Sequence, residues 1–233
     1  MIMQNILEIN EIRTFCFRTK NELIEYISDK KKILVAINAE KILNDSAELK
    51  NIINNNIGYP DGIGAVWALK KKGFKVEKIP GVELWLDIIR QYSSSKSFYF
   101  IGASDEVINE TINKLKTDFP EINILNYRNG YLTVGEKELL TKDLINKKPD
   151  VVFVAMGTPK QEYLMDELLK AHPALYMGLG GSFDVYCGKL NRAPKVFLKL
   201  KLEWLYRLLK EPTRIRRQIK IIKFLFLLKL NKL

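Results

Sequence analysis

The chain reads as an α/β protein: a doubly wound, Rossmann-like and mostly parallel sheet followed by a basic amphipathic helical appendage. Three observations predict this. Short β-rich runs alternate with segments of helical period through the first 190 residues. Runs such as Val151-Val-Phe-Val-Ala-Met156 are apolar without alternation, the pattern of strands buried on both faces beneath crossover helices. The net charge of +11 falls entirely in residues 192–233, which hold 13 Lys/Arg against 2 Asp/Glu, while residues 1–191 carry 25 of each sign. The expected division is therefore an α/β domain over 1–190 and an appendage over 191–233. At 233 residues and 47% hydrophobic content the chain can bury a sizeable core.

The elements follow in order. Ile-Leu-Val-Ala-Ile predicts a strand over 33–37, and helical spacing of Ile and Leu predicts a helix over 41–54. A second helix is expected over 62–71, within Gly62-Ile-Gly-Ala-Val-Trp-Ala-Leu-Lys-Lys71, and a third over 82–91. Phe98-Tyr-Phe-Ile-Gly102 is a buried strand, followed by a helix over 105–118 and a strand over 122–126. A helix over 136–147, the strand 151–156, a helix over 160–171 and a strand over 175–179 complete the alternation. Beyond residue 190, Glu203-Trp-Leu-Tyr-Arg-Leu-Leu-Lys210 predicts a short helix, Glu211-Pro212 breaks it, and Thr213 caps the next.

Composition removes several classes. Cys16 and Cys187 are the only thiols, with no zinc-like or disulfide-framework spacing, so a reducing compartment is expected. The N-terminal residues carry acids where a signal peptide needs a positive segment. The longest tail run, Phe224 to Leu228, is bounded by Lys223 and Lys229 and falls far short of the ~20 apolar residues that cross a bilayer. The tail is expected to lie on a membrane rather than span it.

In doubly wound sheets ligands bind outside the carboxyl ends of the strands. Four segments there carry unusual chemistry: Asn38-Ala-Glu40, Gly102-Ala-Ser104-Asp105, Gly157-Thr-Pro-Lys-Gln-Glu162 and Gly178-Leu-Gly-Gly-Ser-Phe-Asp184. Glycine lets backbone approach a ligand closely, and the helix N-termini that follow present N–H groups to phosphate. Thr158 is placed to cap a helix, with Pro159 in its first turn and Lys160 and Gln161 at its positive end. Tyr59-Pro-Asp-Gly-Ile-Gly64 supplies a reactive carboxylate, Asp61, suited to accepting a proton from an incoming hydroxyl; a simple Asp-capped turn is the structural alternative.

Taken in order, Asn38-Ala-Glu, Pro60-Asp-Gly-Ile-Gly, Gly102-Ala-Ser, Gly157-Thr-Pro-Lys-Gln-Glu, Gly180-Gly-Ser-Phe-Asp, Asn191-Arg-Ala-Pro and Leu202-Glu-Trp-Leu-Tyr-Arg-Leu-Leu-Lys-Glu-Pro-Thr-Arg closely resemble the WecG/TagA/CpsF family of bacterial glycosyltransferases. The resemblance implies inverting transfer of an N-acetylhexosamine, such as N-acetylmannosamine or its uronic acid, from a UDP-sugar to an undecaprenyl-diphosphate-linked saccharide in surface-polymer synthesis. It implies a catalytic base at Asp61 and pocket positions at Asn38 and Gln161, with Asp184 a partner for nucleotide or donor sugar. The substrate-binding set is completed by Lys78, Gly102, Ser104, Thr158, Lys160, Gly181, Phe183 and Arg192. Arg207, Arg214 and Arg217 match basic residues that meet the lipid diphosphate, joined at the membrane by Arg216, Lys220 and Lys223. Two departures from the family pattern bear on the donor or acceptor sugar: Ala36 stands where relatives usually have Thr, and Lys78-Ile-Pro-Gly-Val-Glu83 stands where they usually have Arg before Gly-x-Asp.

No Asp-x-Asp occurs and the single His172 precedes Pro173, so no obligatory metal and no cofactor beyond the UDP-sugar substrate is expected. In the tail, Ile215, Ile219, Ile222, Phe226 and Leu230 recur at helical spacing beside Arg216, Lys220 and Lys223, a stripe suited either to an anionic membrane or to packing on protein. The expected partners are the UDP-sugar, the polyprenyl-diphosphate acceptor and the inner face of the cell membrane. Nucleic acid is not expected, and a homo-oligomer is compatible. The rivals are a basic-tailed nucleotide or RNA-binding module, disfavoured by the aliphatic tail, and a dinucleotide oxidoreductase, disfavoured because Gly-x-Gly-x-x-Gly is missing after the first strand.

Overall fold

The computed structural model describes residues 5–190, 194, 197, 205–206 and 215–230, the last segment with side chains from residue 220. An antiparallel hairpin, β1 (Ile6–Ile9) and β2 (Ile12–Phe15), turns through Asn10 and Glu11, both at positive φ. After α1 (Lys20–Tyr26), capped by the Thr19 hydroxyl, come β3 (Ile33–Ile37), α2 (Ala39–Ile42), α3 (Ala47–Asn54), β4 (Ile57–Pro60) and α4 (Ile63–Lys71). The chain continues through α5 (Gly81–Tyr92), β5 (Ser97–Gly102), α6 (Asp105–Asp118), β6 (Asn123–Arg128) and α7 (Val134–Lys147). It ends its described path with β7 (Val151–Ala155), α8 (Lys160–Ala171), β8 (Leu175–Gly178), α9 (Ser182–Tyr186) and α10 (Ile215–Lys229).

The six strands from β3 to β8 form one sheet in the order β4-β3-β8-β7-β5-β6, with every pairing parallel. The alternation of the strands divides the interior in two. Val152 and Val154 of β7 join Val35, Ile37 and Tyr176 in one core, beneath α3, α4 and α8. Val151 and Phe153 join Leu34, Phe98, Phe100 and Met177 in the other, beneath α1, α5 and α6. There Trp85 is fully buried, its ring edge-on to Phe153, Phe183 and Tyr186 at 5.8, 5.6 and 5.2 Å. The unbroken apolar runs are thus strands with both faces covered, as the sequence indicates.

Several elements depart from the sequence reading. The helix expected over 41–54 is two helices, because Ser46 caps α3 with its hydroxyl to the Leu49 N–H and Asn44 accepts from the Ser46 N–H. The hairpin, α1, α9 and β4 are additional. β4 contains Gly58 and Pro60, poor strand residues that are tolerated because the strand lies at the sheet edge. The helix expected over 203–210, the break at Glu211-Pro212 and the cap at Thr213 fall outside the described residues apart from Leu205 and Tyr206.

Helix α10 packs across α2 and α4. Phe224 is fully buried, with Ile221, Leu225 and Leu228 around it against the first core, and Lys71 Nζ donates to the Leu228 carbonyl at 2.5 Å. The opposite face stays in solvent: Ile222, Phe226 and Leu230 are 63, 62 and 46% exposed. These three are the described part of the stripe read from the sequence. A second apolar face, which that reading did not separate, attaches the helix to the body. No helix among the described residues is long and apolar enough to cross a membrane.

Candidate functional site

Because the sheet is parallel, the segments after its strands gather on one rim. Their lateral order is Asp61 after β4, Asn38 after β3, Gly180 to Asp184 after β8, Gly157 to Lys160 after β7, Gly102 to Ser104 after β5, and Asn129 to Tyr131 after β6. The chain leaves β5 toward one edge, to β6, and leaves β7 toward the other, to β8, so the crevice between β5 and β7 is the topological switch point. At about 4.8 Å per strand, the β4 end lies some ~19 Å from the β5 end. The rim is long enough for an elongated ligand.

At the switch point the backbone is drawn in tightly. Gly102 has φ +133°, and a Cβ there would sit 2.3 Å from the Ala155 oxygen. Ala103 adopts a left-handed φ of 56°, held by its N–H to the Ala155 carbonyl at 3.0 Å and by the Gly130 N–H to its own carbonyl at 2.9 Å. Ser104 uses its hydroxyl to cap α6 at Val107. Tyr131, 73% exposed, stands on the loop that Gly130 anchors beside Gly102; the sequence reading passed over it, since a lone exposed Tyr has no periodic signature.

Two further segments interlock through Gln161. Its side-chain oxygen accepts from the Gly157 N–H at 3.2 Å and the Gly180 N–H at 2.9 Å, so one buried amide ties the β7 loop to the β8 loop. Gln161 therefore shapes the rim from beneath. Thr158 does not cap α8; its hydroxyl donates to Glu162 Oε1 at 3.1 Å, and Pro159 occupies the cap position without a side-chain bond. Lys160 and Gly181 are exposed on the rim and Asp184 is half-buried, while Phe183 lies fully buried below, ring to ring with Trp85 and Phe100.

Glu162 is the largest surprise. In place of the solvated acid of an ordinary helix start, it is 1% exposed and paired at 2.9 Å with Lys41, itself 4% exposed. Lys41 Nζ also donates to the Ala36 carbonyl, and Gln161 Nε2 donates to the same Glu162 oxygen. Burial pushes the Glu162 carboxyl up, but the Lys41 ammonium and the Gln161 and Thr158 hydrogen bonds together hold it below the usual carboxylate range. Burial, with Asp61 and Glu162 nearby, raises the Tyr59 phenol well above its ordinary value. Among the described residues, Tyr59 Oη and Glu162 Oε2 are buried without a hydrogen-bond partner. No local signal links Lys41 to Glu162; only the fold brings α2 against α8.

At the β4 end, the Asp61 and Gly62 N–H groups both donate to the Ile37 carbonyl, at 3.2 and 3.0 Å. The Asp61 carboxylate is half-buried, and its Oδ1 accepts from the Gly81 N–H of α5 at 3.0 Å, which orients it at that helix start. Asn38 accepts the Lys41 N–H with its side-chain oxygen at 3.0 Å, as the cap of α2. The Ile79 N–H bonds the Pro60 carbonyl, bringing exposed Lys78 alongside Asp61. Asp61, Asn38, Lys78, Gly102, Ser104, Thr158, Lys160, Gly181 and Asp184 thus share one rim. Arg192, Arg207 and Arg214 lie outside the described residues, as do the side chains of Arg216 and Arg217; Lys220 and Lys223 lie on α10, half-buried and exposed. Among the described residues no group of three or more His, Cys, Asp or Glu is placed to hold a metal.

A carboxylate at one end of a glycine-lined crevice, with helix starts along it, suits an elongated phosphate-containing donor and a hydroxyl acceptor. The family model described as the glycosyl transferase WecG/TagA/CpsF family matches residues 7–233.

Proposed function

Since the chain belongs to the WecG/TagA/CpsF glycosyltransferase family, we propose that it moves an N-acetylhexosamine, N-acetylmannosamine or its uronic acid, from UDP to a polyprenyl-diphosphate-linked saccharide with inversion. The observation that carries this reading is the shared rim: the Asp61 carboxylate lies at the β4 end of the same row of loops as the β5/β7 switch point. The nucleotide occupies the switch-point crevice, its base against Tyr131 and its phosphates against the β7 and β8 loops. The donor sugar then points along the rim toward Asn38 and Asp61.

In the transfer step, Asp61 takes the proton of the acceptor hydroxyl as its oxygen bonds the anomeric carbon, and the bond from that carbon to the UDP oxygen breaks on the opposite face. The negative charge gathering on the leaving diphosphate meets Lys160 and the β8 loop in place of a metal. Helix α10 serves the acceptor. Its buried face fixes it to α2 and α4, while Ile222, Phe226 and Leu230 enter the surface of an anionic leaflet beside Lys220 and Lys223. The arrangement suits peripheral attachment to the inner face of the cell membrane.

The test is a panel of UDP-sugars offered with a polyprenyl-diphosphate-linked amino sugar in anionic vesicles, with and without a metal chelator. The reading expects one donor to be consumed with inversion and no loss on chelation. Turnover of no UDP-sugar, or tight RNA binding that collapses steeply with salt, overturns it.

A further inference from the structure

We propose that Phe224 is a positioning residue for the transfer site: seated on Gly64, its ring holds together the first turns of α2 and α4, which carry Asn38 and Asp61. The inference rests on the transferase reading for its consequence and on packing alone for its geometry.

The packing runs through two glycines. A Cβ on Gly62 would stand 2.8 Å from Asn38 Cβ and 3.0 Å from Asn38 Cα, so the starts of α4 and α2 touch backbone to backbone. A Cβ on Gly64 would stand 2.9 Å from Phe224 Cε1 and 3.1 Å from Cδ1, with Ala39 Cβ at 3.6 Å from the same point. The Phe224 ring therefore fills the notch left by the missing Gly64 side chain, over the seam between the two helices. Phe224 is fully buried there, and α10 packs on no helices among the described residues as closely as on α2 and α4. Asp61 immediately precedes Gly62 and shares with it the Ile37 carbonyl.

Two consequences follow. The seam is held from the rim side by backbone bonds to Ile37 and from the outer side by a ring that belongs to the tail. Since α2 is one turn long, it has little hydrogen bonding of its own to keep Asn38 in place. Tail docking and rim geometry are then one packing problem, and a tail displaced from Gly64 loosens the carboxylate and the amide together. The ring touches neither substrate nor reacting atoms; it acts through Gly62, Gly64 and Ala39.

The experiment is a bump-and-hole pair on the full chain: Gly64→Ala, Phe224→Leu and the double variant. Gly64→Ala drives a methyl into a rigid ring, whereas Leu at 224 can yield. Gly64→Ala is expected to lower kcat about 10- to 10²-fold, as small misplacements of a catalytic group do, with UDP affinity unchanged. The double variant should recover most of that loss. Hydrogen exchange without substrate supplies the second readout, at the Ile42 and Val66 amides, which bond the Asn38 and Gly62 carbonyls at 3.0 and 3.2 Å. Faster exchange in Gly64→Ala, reversed in the double variant, is expected. Effects that simply multiply, or exchange at these amides that matches the parent, overturn the proposal. A parent that transfers from no donor overturns the transferase reading instead, and exchange still decides the role of Phe224.

Discussion

Removing either partner of the buried Lys41–Glu162 pair should destabilise the fold far more than removing both. The charges stand 2.9 Å apart at 4 and 1% exposure. With an effective dielectric constant of about 20, their attraction is roughly 6 kcal/mol. Desolvating the two ions costs several kcal/mol each, so the intact pair comes out near neutral against apolar side chains of similar volume. Lys41→Met leaves a carboxylate in the core with only the Thr158 and Gln161 bonds, and Glu162→Met leaves an ammonium with only the Ala36 carbonyl. Each single variant should lose about 3–5 kcal/mol. For a chain of this size that lowers Tm by roughly 6–20 °C, at about 2–4 °C per kcal/mol. The double variant Lys41→Met/Glu162→Met should melt within a few degrees of the parent. Circular dichroism melts and urea titrations of all four proteins measure the cycle. Single variants as stable as the parent, or a double variant with the summed loss of both, would refute the reasoning.

Three further outcomes are expected. Acid should weaken the fold through the same pair: the Glu162 carboxyl lies lower in the folded chain than its ordinary 4.5, so its contribution is complete above about pH 4.5 and is lost as pH falls through the folded value. Urea midpoints between pH 3 and 6 should fall more steeply in the parent than in the double variant. Gly102→Ala, whose Cβ would meet the Ala155 backbone at 2.3 Å and whose φ is +133°, should cost at least about 2 kcal/mol and weaken UDP binding in calorimetry. Ile222→Ser/Phe226→Ser should leave the melting temperature unchanged, both side chains being exposed, but weaken binding to anionic vesicles about 10²–10⁴-fold in flotation, from about 1.5–3 kcal/mol for each of the two apolar side chains withdrawn from the bilayer.

The parallel sheet was legible because its central strands are covered on both faces and so lack alternation; β5, β7 and β8 fall within a residue of the runs that announce them. β4 was not, since Gly58 and Pro60 disguise an edge strand, and the break between α2 and α3 hides in an Asn44 and Ser46 capping arrangement inside an otherwise helical period. Of the rim, the placement of Asp61, Asn38 and the glycine loops was readable from motif and position. Gln161, Thr158 and Glu162 were recognisable as a cluster but not in their roles, because those depend on Gly180 and Lys41, which only the sheet order brings near. Phe183, read as a pocket residue, is core, since the short α9 turns it inward beneath the rim. The tail stripe was visible in its period; the seat of Phe224 on Gly64 was not, because an apolar residue on a helix does not name the surface it will cover.

The most direct test of the transfer mechanism is the single-turnover rate of Asp61→Asn against the parent, on vesicles bearing the lipid-diphosphate-linked acceptor, with UDP affinity measured on the same preparations. The proposal that Asp61 is the base predicts a loss of about 10²–10⁴-fold in rate with nucleotide binding intact. An Asn variant that transfers sugar at the parent's rate contradicts it.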